Sequence, residues 1–215
     1  MKNFKIQSHQ LLAVEGKDEC YFFEALLKYL QIEAVQLLDI GGKDQFSEKF
    51  QALYNMEKFE TLKVIGFVRD AETNLAGNAF ESIGSLLKKY ELPVPSLPGS
   101  ITSRSVPTLI TTGIFIMPDN NKTGMLESLC LQTIAATDRS QCIETFVTCF
   151  QSCLTPEERE KYKEPKSRVL AYLATKPPIV NSLGLAAQKG YWDFGHPCFQ
   201  EIITFLRQLF PNKCS

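Results

Sequence analysis

The sequence predicts an α/β fold with about four mainly parallel strands, flanked by helices, and a helical C-terminal extension. Two observations support this. Short apolar runs alternate with amphipathic helical stretches in the first part of the chain, as in a parallel sheet covered on both faces. From residue 126 onward only helical patterns remain. We therefore expect residues 1–135 to form the α/β core and residues 136–215 to pack on it as one compact unit.

Residues 11–30, LLAVEGKDECYFFEALLKYL, contain the first predicted strand and helix. The apolar run at 11–14 is too short for a helix and is interrupted by Gly16, whereas apolar residues beyond it recur at spacings of three and four. Glu15 is therefore expected at the carboxyl end of a strand. In an open parallel sheet, ligands bind at that edge.

The other units of the core follow in chain order. The predicted elements are a strand at 34–40 and a helix at 44–54, a strand at 62–68 and a helix at 78–90, and a strand at 112–117. Asp44 is a candidate cap for its helix. The run LKVIGFV at 62–68 is typical of a strand buried on both faces. Residues 92–107 contain four prolines and predict a long surface loop.

The C-terminal extension is predicted to be helical throughout. Its expected helices are 126–133, 139–153, 156–162, 167–175 and 198–210. Cys142, Cys149 and Cys153 share one face of the second of these helices with two phenylalanines. They are either buried core cysteines or metal ligands, and we expect core cysteines because free cysteine is commonly buried.

Composition limits the classes of function. A chain of 215 residues with 44% hydrophobic and 22% charged residues is ordinary for one globular domain. A net charge of −1 gives no overall attraction to nucleic acid, so binding would need a local basic surface or a metal ion. Seven cysteines without a CxxC pair and a polar N-terminus predict a reduced, cytoplasmic protein. No apolar run is long enough to span a membrane.

Acidic residues follow two of the predicted strands. Glu15 follows the first strand, and Asp70 and Glu72 follow the third. If the strand geometry continues through Asp70 and Glu72, both side chains project to the same side and can share a cation with Glu15. Carboxylate oxygens are the ligands that Mg²⁺ prefers, and Mn²⁺ accepts them too. The sequence therefore predicts a metal site at this edge.

These motifs resemble a known fold family. The run VEGKD at 14–18 followed by DAE at 70–72 is similar to the Toprim fold of topoisomerases, primases and OLD-type nucleases. The runs TGMLE at 123–127 and KSRVLA at 166–171 resemble additional elements of OLD-type and stand-alone bacterial Toprim-like proteins, some of them classed only as domains of unknown function. The resemblance covers roughly residues 8–175. The sequence departs from the family pattern at Glu72, where a second aspartate is expected.

The expected activity is Mg²⁺- or Mn²⁺-dependent phosphodiester chemistry on nucleic acid, and we expect a nuclease. The predicted metal ligands are Glu15, Asp70, Glu72, Glu127 and Asp119, the last two for a second ion. The predicted catalytic residues are Glu15 and Lys166. A lysine at a helix start would supply positive charge to the phosphate.

Other interpretations stay open. A strand-end acid such as Glu15 or Asp70 can be a helix cap or first-turn acid. Glu127 and Lys166 can be solvated helix surface, and Asp119 a turn residue. At the level of function, the chain can be a non-catalytic metal- or nucleotide-binding partner of a separate ATPase, because OLD-type Toprim domains are usually joined to one. It can also be a remnant that keeps the fold without the metal.

Overall fold

A five-stranded sheet lies at the centre of the computed structural model, which describes residues 4–73, 75–134 and 138–211. The strands are β1 (Gln10–Val14), β2 (Val35–Asp39), β3 (Val64–Asp70), β4 (Ile101–Arg104) and β5 (Ile110–Met117). Their order across the sheet is β2-β1-β3-β5-β4, and only the pairing of β4 with β5 is antiparallel. The predicted α/β class with a mainly parallel sheet is confirmed.

Helices follow the strands and make up the C-terminal part. They are α1 (Lys17–Tyr29), α2 (Phe46–Tyr54), α3 (Ala76–Lys89), α4 (Leu126–Gln132), α5 (Asp138–Ser152), α6 (Pro156–Lys161), α7 (Glu164–Leu173), α8 (Leu183–Gln188) and α9 (Gln200–Leu209). The sequence did not predict α8. The predicted boundary between core and extension, at 135/136, lies outside the described residues. Among the helices described here, none has both the length and the hydrophobicity that crossing a membrane requires.

Two local predictions are wrong. The segment 92–107 is not all loop, because β4 lies within it and pairs with β5 at the edge of the sheet, with Thr102 opposite Thr112. This short strand carries no apolar run that would mark it in the sequence. Asp44 does not cap α2, because the N-cap residue is Gln45 and its side chain makes no capping hydrogen bond.

The two faces of the sheet pack against different helices. Leu12 and Val14 of β1 face a cluster that includes apolar residues of α1, α4, α5, α7, α8 and α9. Leu11 and Ala13 face the opposite cluster, which α2 and α3 complete. This alternation follows from the period of two in a strand. The helical extension therefore covers the same face as α1.

Two paired glycines let α9 approach the sheet closely. Gly66 of β3 lies opposite Gly113 of β5. A Cβ atom at Gly66 would lie 2.6 Å from Leu209 Cδ2, and one at Gly113 would lie 3.0 Å from Phe205. Any larger side chain at Gly66 would displace the side chains of Leu209 and Leu12. The last described helix is thus seated directly on the strands that end at the candidate site.

The cysteines of α5 are not core residues, contrary to expectation. Cys142, Cys149 and Cys153 are exposed. The helix instead buries Ile143 and Val147, which belong to the same apolar cluster as α7. Apolar residues occur on both faces of α5, so the sequence pattern alone did not identify the buried one.

Candidate metal and phosphate site

Glu15 and Asp70 meet at the carboxyl edge of the sheet. β1 and β3 are parallel neighbours with Ala13 opposite Phe67, so their ends lie side by side. The backbone N–H of Asp70 donates to Glu15 Oε1 at 3.2 Å, and Arg69 Nε donates to the same oxygen at 3.2 Å. The structure therefore brings together the two acids that the sequence placed at this edge, and Arg69 pairs with one of them.

The side chain of Asp70 also caps a helix. Its Oδ1 accepts a hydrogen bond from Leu126 N–H, the first residue of α4, at 3.0 Å. The loop before α4 is held over the strand end because Glu72 and Gly124 exchange two backbone hydrogen bonds of 2.8 Å. The capping role considered for Asp70 is thus real, but it applies to α4 rather than to α3, the next helix in the chain.

Four carboxylates share this region. Burial raises the pKa of Asp70 well above its ordinary value, and the negative charges of Glu15, Glu127 and Glu19 add to the effect. We call Glu15, Glu19, Asp70 and Glu127 the carboxylate cluster. Burial also raises the pKa of Glu15, although the Arg69 charge and the Asp70 N–H oppose it. Burial and then the charge of Glu127 raise the pKa of Glu19.

Sequence reasoning did not include Glu19 in the site. It lies in the first turn of α1, four residues after Glu15, and is partly buried. A spacing of four residues places two side chains on neighbouring positions of a helix surface. Glu15 itself precedes the helix, but the spacing of four residues between Glu15 and Glu19 was the available signal in the sequence. It indicated that Glu19 points towards the same edge of the sheet as Glu15.

Glu127 and Lys166 form an ion pair beside the cluster. Lys166 Nζ lies 3.7 Å from Glu127 Oε1, and the Glu127 side chain is only 14% exposed. Glu127 is therefore not solvated helix surface. Lys166, in the first turn of α7, has a mostly exposed side chain. Burial lowers the pKa of Lys166, but the charges of Glu127, Glu19 and Asp70 outweigh it and raise the pKa overall.

Glu72 does not take the position expected for it. β3 ends at Asp70, and Glu72 has a φ of +54°, so the strand geometry does not continue through it. Glu72 is exposed at the rim. It still lines the same cavity as Glu15 and Asp70, and its charge contributes to the raised pKa of Glu15.

Asp119 is engaged within its own turn. Its Oδ1 accepts hydrogen bonds from the backbone N–H groups of Asn121 and Lys122, and its Oδ2 lies 2.8 Å from Lys122 Nζ. Partial burial would raise the pKa of Asp119, but the hydrogen bonds from Lys122 and Asn121 lower it overall. This is the turn role that the sequence left open.

The donor chemistry of the cluster fits a hard divalent cation, since carboxylate oxygens are the preferred ligands of Mg²⁺. As the side chains stand, however, the described ranges contain no group of three His, Cys, Asp or Glu residues that could hold a metal ion. One oxygen of Glu15 is turned towards Arg69, and one oxygen of Asp70 towards α4. Hydrogen bonds from these groups engage one oxygen of each of the two carboxylates.

A cavity of about 470 Å³ opens beside Glu15 and Asp70. Its walls come from the end of β3, from residues 42–44 before α2, and from the first turns of α3. It has the size of a small-molecule site. The cavity and the cluster share Glu15 and Asp70, so a ligand in the cavity would lie next to any cation on these carboxylates.

Residues 9–211 match a protein family described as Protein of unknown function (DUF3226). The chain belongs to this family. The span matched to DUF3226 includes the whole sheet, the carboxylate cluster and Lys166. A comparison with curated proteins and one with solved structures find no match.

Proposed function

We propose that this protein cleaves phosphodiester bonds of nucleic acid with the help of a divalent cation, Mg²⁺ or Mn²⁺. One observation carries the proposal: Asp70, at the end of a core strand, shares its surroundings with three further carboxylates. Two cations pair with members of this group among the residues that the structure describes: Arg69 with Glu15 and Lys166 with Glu127. Buried like charges of this kind destabilise a protein and are found mainly where a function requires them, so they cluster at functional sites.

The ligands for a cation would be Glu15 and Asp70, joined by Glu19 and Glu127, with Glu72 at the rim. A bound Mg²⁺ or Mn²⁺ activates water and offsets the charge of a phosphate. The resemblance of VEGKD and DAE to the strand-end motifs of Toprim-like nucleases supports the same assignment.

The protein's own groups would each have a separate task. Arg69 orients Glu15 through the Nε hydrogen bond, and the Glu15 carboxylate would either hold the cation or accept a proton from water. Leu126 N–H fixes Asp70. Lys166, with a raised pKa and an exposed head group, would contribute positive charge to the phosphate in the transition state.

A second candidate is a non-catalytic metal- or nucleotide-binding partner of a separate ATPase. The observation that favours it is that one oxygen of Glu15 and one oxygen of Asp70 already accept hydrogen bonds from protein groups, so these oxygens are held in place rather than free to act on a substrate. In this role the cluster would bind a cation without turning over a substrate.

We also propose that the protein acts in the cytoplasm on nucleic acid. The six cysteines in the described part of the chain are free thiols, as expected in a reducing compartment. Since the net charge of −1 gives no general attraction to nucleic acid, binding should depend on the cation and weaken steeply with salt.

A cleavage assay separates the two candidates. With supercoiled DNA and single-stranded RNA as substrates and Mg²⁺ or Mn²⁺ present, the unsubstituted protein should cleave at least one of them. Asp70→Asn should abolish cleavage, and Lys166→Ala should lower the rate by about 10²–10³-fold, as for the loss of one charge-stabilising donor. Glu160→Gln, which removes an exposed carboxylate of α6, is the matched control and should leave the rate unchanged.

The enzymatic proposal would be contradicted if the metal-loaded, unsubstituted protein cleaved neither substrate and the Asp70→Asn variant behaved in the same way. Metal binding without cleavage would instead support the partner of an ATPase.

A further inference from the structure

Arg69 has a hydrogen-bonding atom without a partner. The residue is only 7% exposed, its Nε donates to Glu15, and its Cζ lies 5.4 Å from the centre of the Phe46 ring. Its Nη1 is buried and has no hydrogen-bond partner among the described residues. An unsatisfied buried donor on a charged group is costly. An acceptor supplied by a ligand would remove this cost.

Arg69 lines the cavity beside the carboxylate cluster together with other donors. Lys43 projects from the segment before α2, and Asn78 and Ser82 come from successive turns of α3. Lys43, Asn78 and Ser82 are exposed. We call Arg69, Lys43, Asn78 and Ser82 the donor wall. The remainder of the cavity includes Glu15, Asp70, Glu72 and Asp44, which are all acidic.

We propose that the donor wall binds a phosphoryl oxyanion that enters together with the divalent cation. The guanidinium group presents several N–H donors in a plane and suits a tetrahedral oxyanion better than a point charge does. The acidic side of the cavity repels a free anion, so the cation must neutralise it. The inference rests on the proposed function for the presence of that cation, and it identifies the nucleotide phosphate as the group recognised.

Two consequences distinguish this arrangement from a plain cation site. Phosphate and metal should each raise the affinity of the protein for the other, because coupling between two ligands is reciprocal. Recognition should also depend on the phosphate rather than on the base, since the donor wall consists of groups suited to oxyanions.

The probe is thymidine 5′-monophosphate, titrated by calorimetry with and without Mn²⁺, with thymidine as the control ligand. We expect binding in the presence of Mn²⁺, at least about tenfold weaker binding without it, and none of thymidine. Arg69→Lys keeps the charge but removes Nη1, and should weaken binding by about tenfold or more, as for a charged hydrogen bond. Lys43→Ala should weaken it about threefold, as for an exposed charge.

Lys28→Ala is the matched control, because Lys28 is an exposed lysine in the last turn of α1, away from the carboxyl edge of the sheet. It should bind the nucleotide as the unsubstituted protein does. If Arg69→Lys loses its native circular dichroism spectrum, Lys43→Ala, at an exposed position, decides the matter.

No Mn²⁺-dependent binding of the nucleotide, or unchanged affinity in the folded variants, would overturn the inference. This result is independent of the cleavage assay. Protein that binds the nucleotide through Arg69 and Lys43 but cleaves nothing would contradict the proposed function alone. Protein that cleaves and yet binds equally well without these donors would contradict the donor wall alone.

Discussion

At Arg168, one guanidinium group forms ion pairs with two carboxylates. In the carboxylate cluster, four carboxylates including Asp70 have two cations beside them, Arg69 and Lys166. Arg168, on α7, donates from Nη2 to Glu144 Oε1 of α5 at 2.8 Å and from Nε to Glu164 Oε1 at 2.8 Å, and its Nη1 also contacts Glu144. The Glu144 side chain is exposed to solvent, and those of Glu164 and Arg168 are partly exposed. The hydrogen bonds from Arg168 lower the pKa of Glu144, the opposite of the shift at Asp70.

The difference shows how burial decides what an acidic residue contributes. At the surface, water and one arginine are enough to stabilise the charged form of Glu144. At the end of β3, burial penalises the charged form of Asp70, and the neighbouring acids increase the penalty. In our proposal, a bound cation offsets this penalty on the charged form of Asp70, which the protein's own groups do not offset.

The largest expected effect is a stabilisation of the protein by metal. If millimolar Mn²⁺ exceeds its dissociation constant about 100-fold, it adds about 2.7 kcal/mol to the free energy of unfolding. For a chain of this length, that corresponds to a rise of about 5–10 °C in melting temperature. Asp70→Asn should lose this rise, and Glu144→Gln should keep it. Differential scanning fluorimetry with EDTA or Mn²⁺ measures both.

An equal rise in melting temperature for the unsubstituted protein and for Asp70→Asn would place the cation elsewhere. No rise in either would remove the metal from the proposed function.

The next effect is a dependence of stability on pH in the absence of metal. The pKa of folded Asp70 is raised, so its contribution to stability is fully present below the unfolded pKa and is lost as pH rises through the folded pKa. Asp70→Asn removes this loss and keeps an acceptor for Leu126 N–H. The charges that act on Asp70 include those of Glu15, Glu127 and Glu19. Arg69 pairs with Glu15, and Lys166 pairs with Glu127.

We therefore expect Asp70→Asn to be more stable than the unsubstituted protein near pH 8, by about 0.5–2 kcal/mol. The advantage should shrink at acidic pH, where the aspartate becomes protonated. Urea unfolding in EDTA at both pH values measures it. A variant that is less stable near pH 8 would mean that the capping of α4 outweighs the repulsion in the cluster.

Much of the fold was predictable because local patterns and burial agree. The run at 62–68 is apolar because β3 is covered on both faces, and Glu15 directly follows β1, which ends at Val14 just before Gly16. Elements whose formation depends on distant contacts were not predictable. α8 begins where Asp18 accepts hydrogen bonds from Leu183 N–H at 3.0 Å and from Gly184 N–H at 2.8 Å, and these residues are 165 and 166 positions from Asp18.

The site was predictable in the part that depends on strand ends. Glu15 and Asp70 lie together because parallel neighbours end at the same edge. Glu72 was misplaced because the backbone turns into the left-handed region directly after the strand, and no residue type marks this change. Arg69 was expected only to flank the mouth of the site, since an arginine inside a buried strand is recognised as a site residue only when its partner Glu15 is in place.

The smallest expected effect on stability comes from the ion pair between Arg168 and Glu144. The sign of its pH dependence tests the comparison with Asp70. The folded pKa of Glu144 is lowered, so its contribution is present above the unfolded pKa and is lost as pH falls through the folded pKa. Glu144→Gln should therefore be slightly less stable than the unsubstituted protein near pH 8 and equal to it at acidic pH, with the difference removed by high salt because the pair is exposed. This dependence is opposite in sign to that of Asp70→Asn, and the same urea experiments measure it. If Glu144→Gln instead stabilised the protein near pH 8, acids at the two places would respond alike, and the raised pKa values of the carboxylate cluster would no longer mark it as functional.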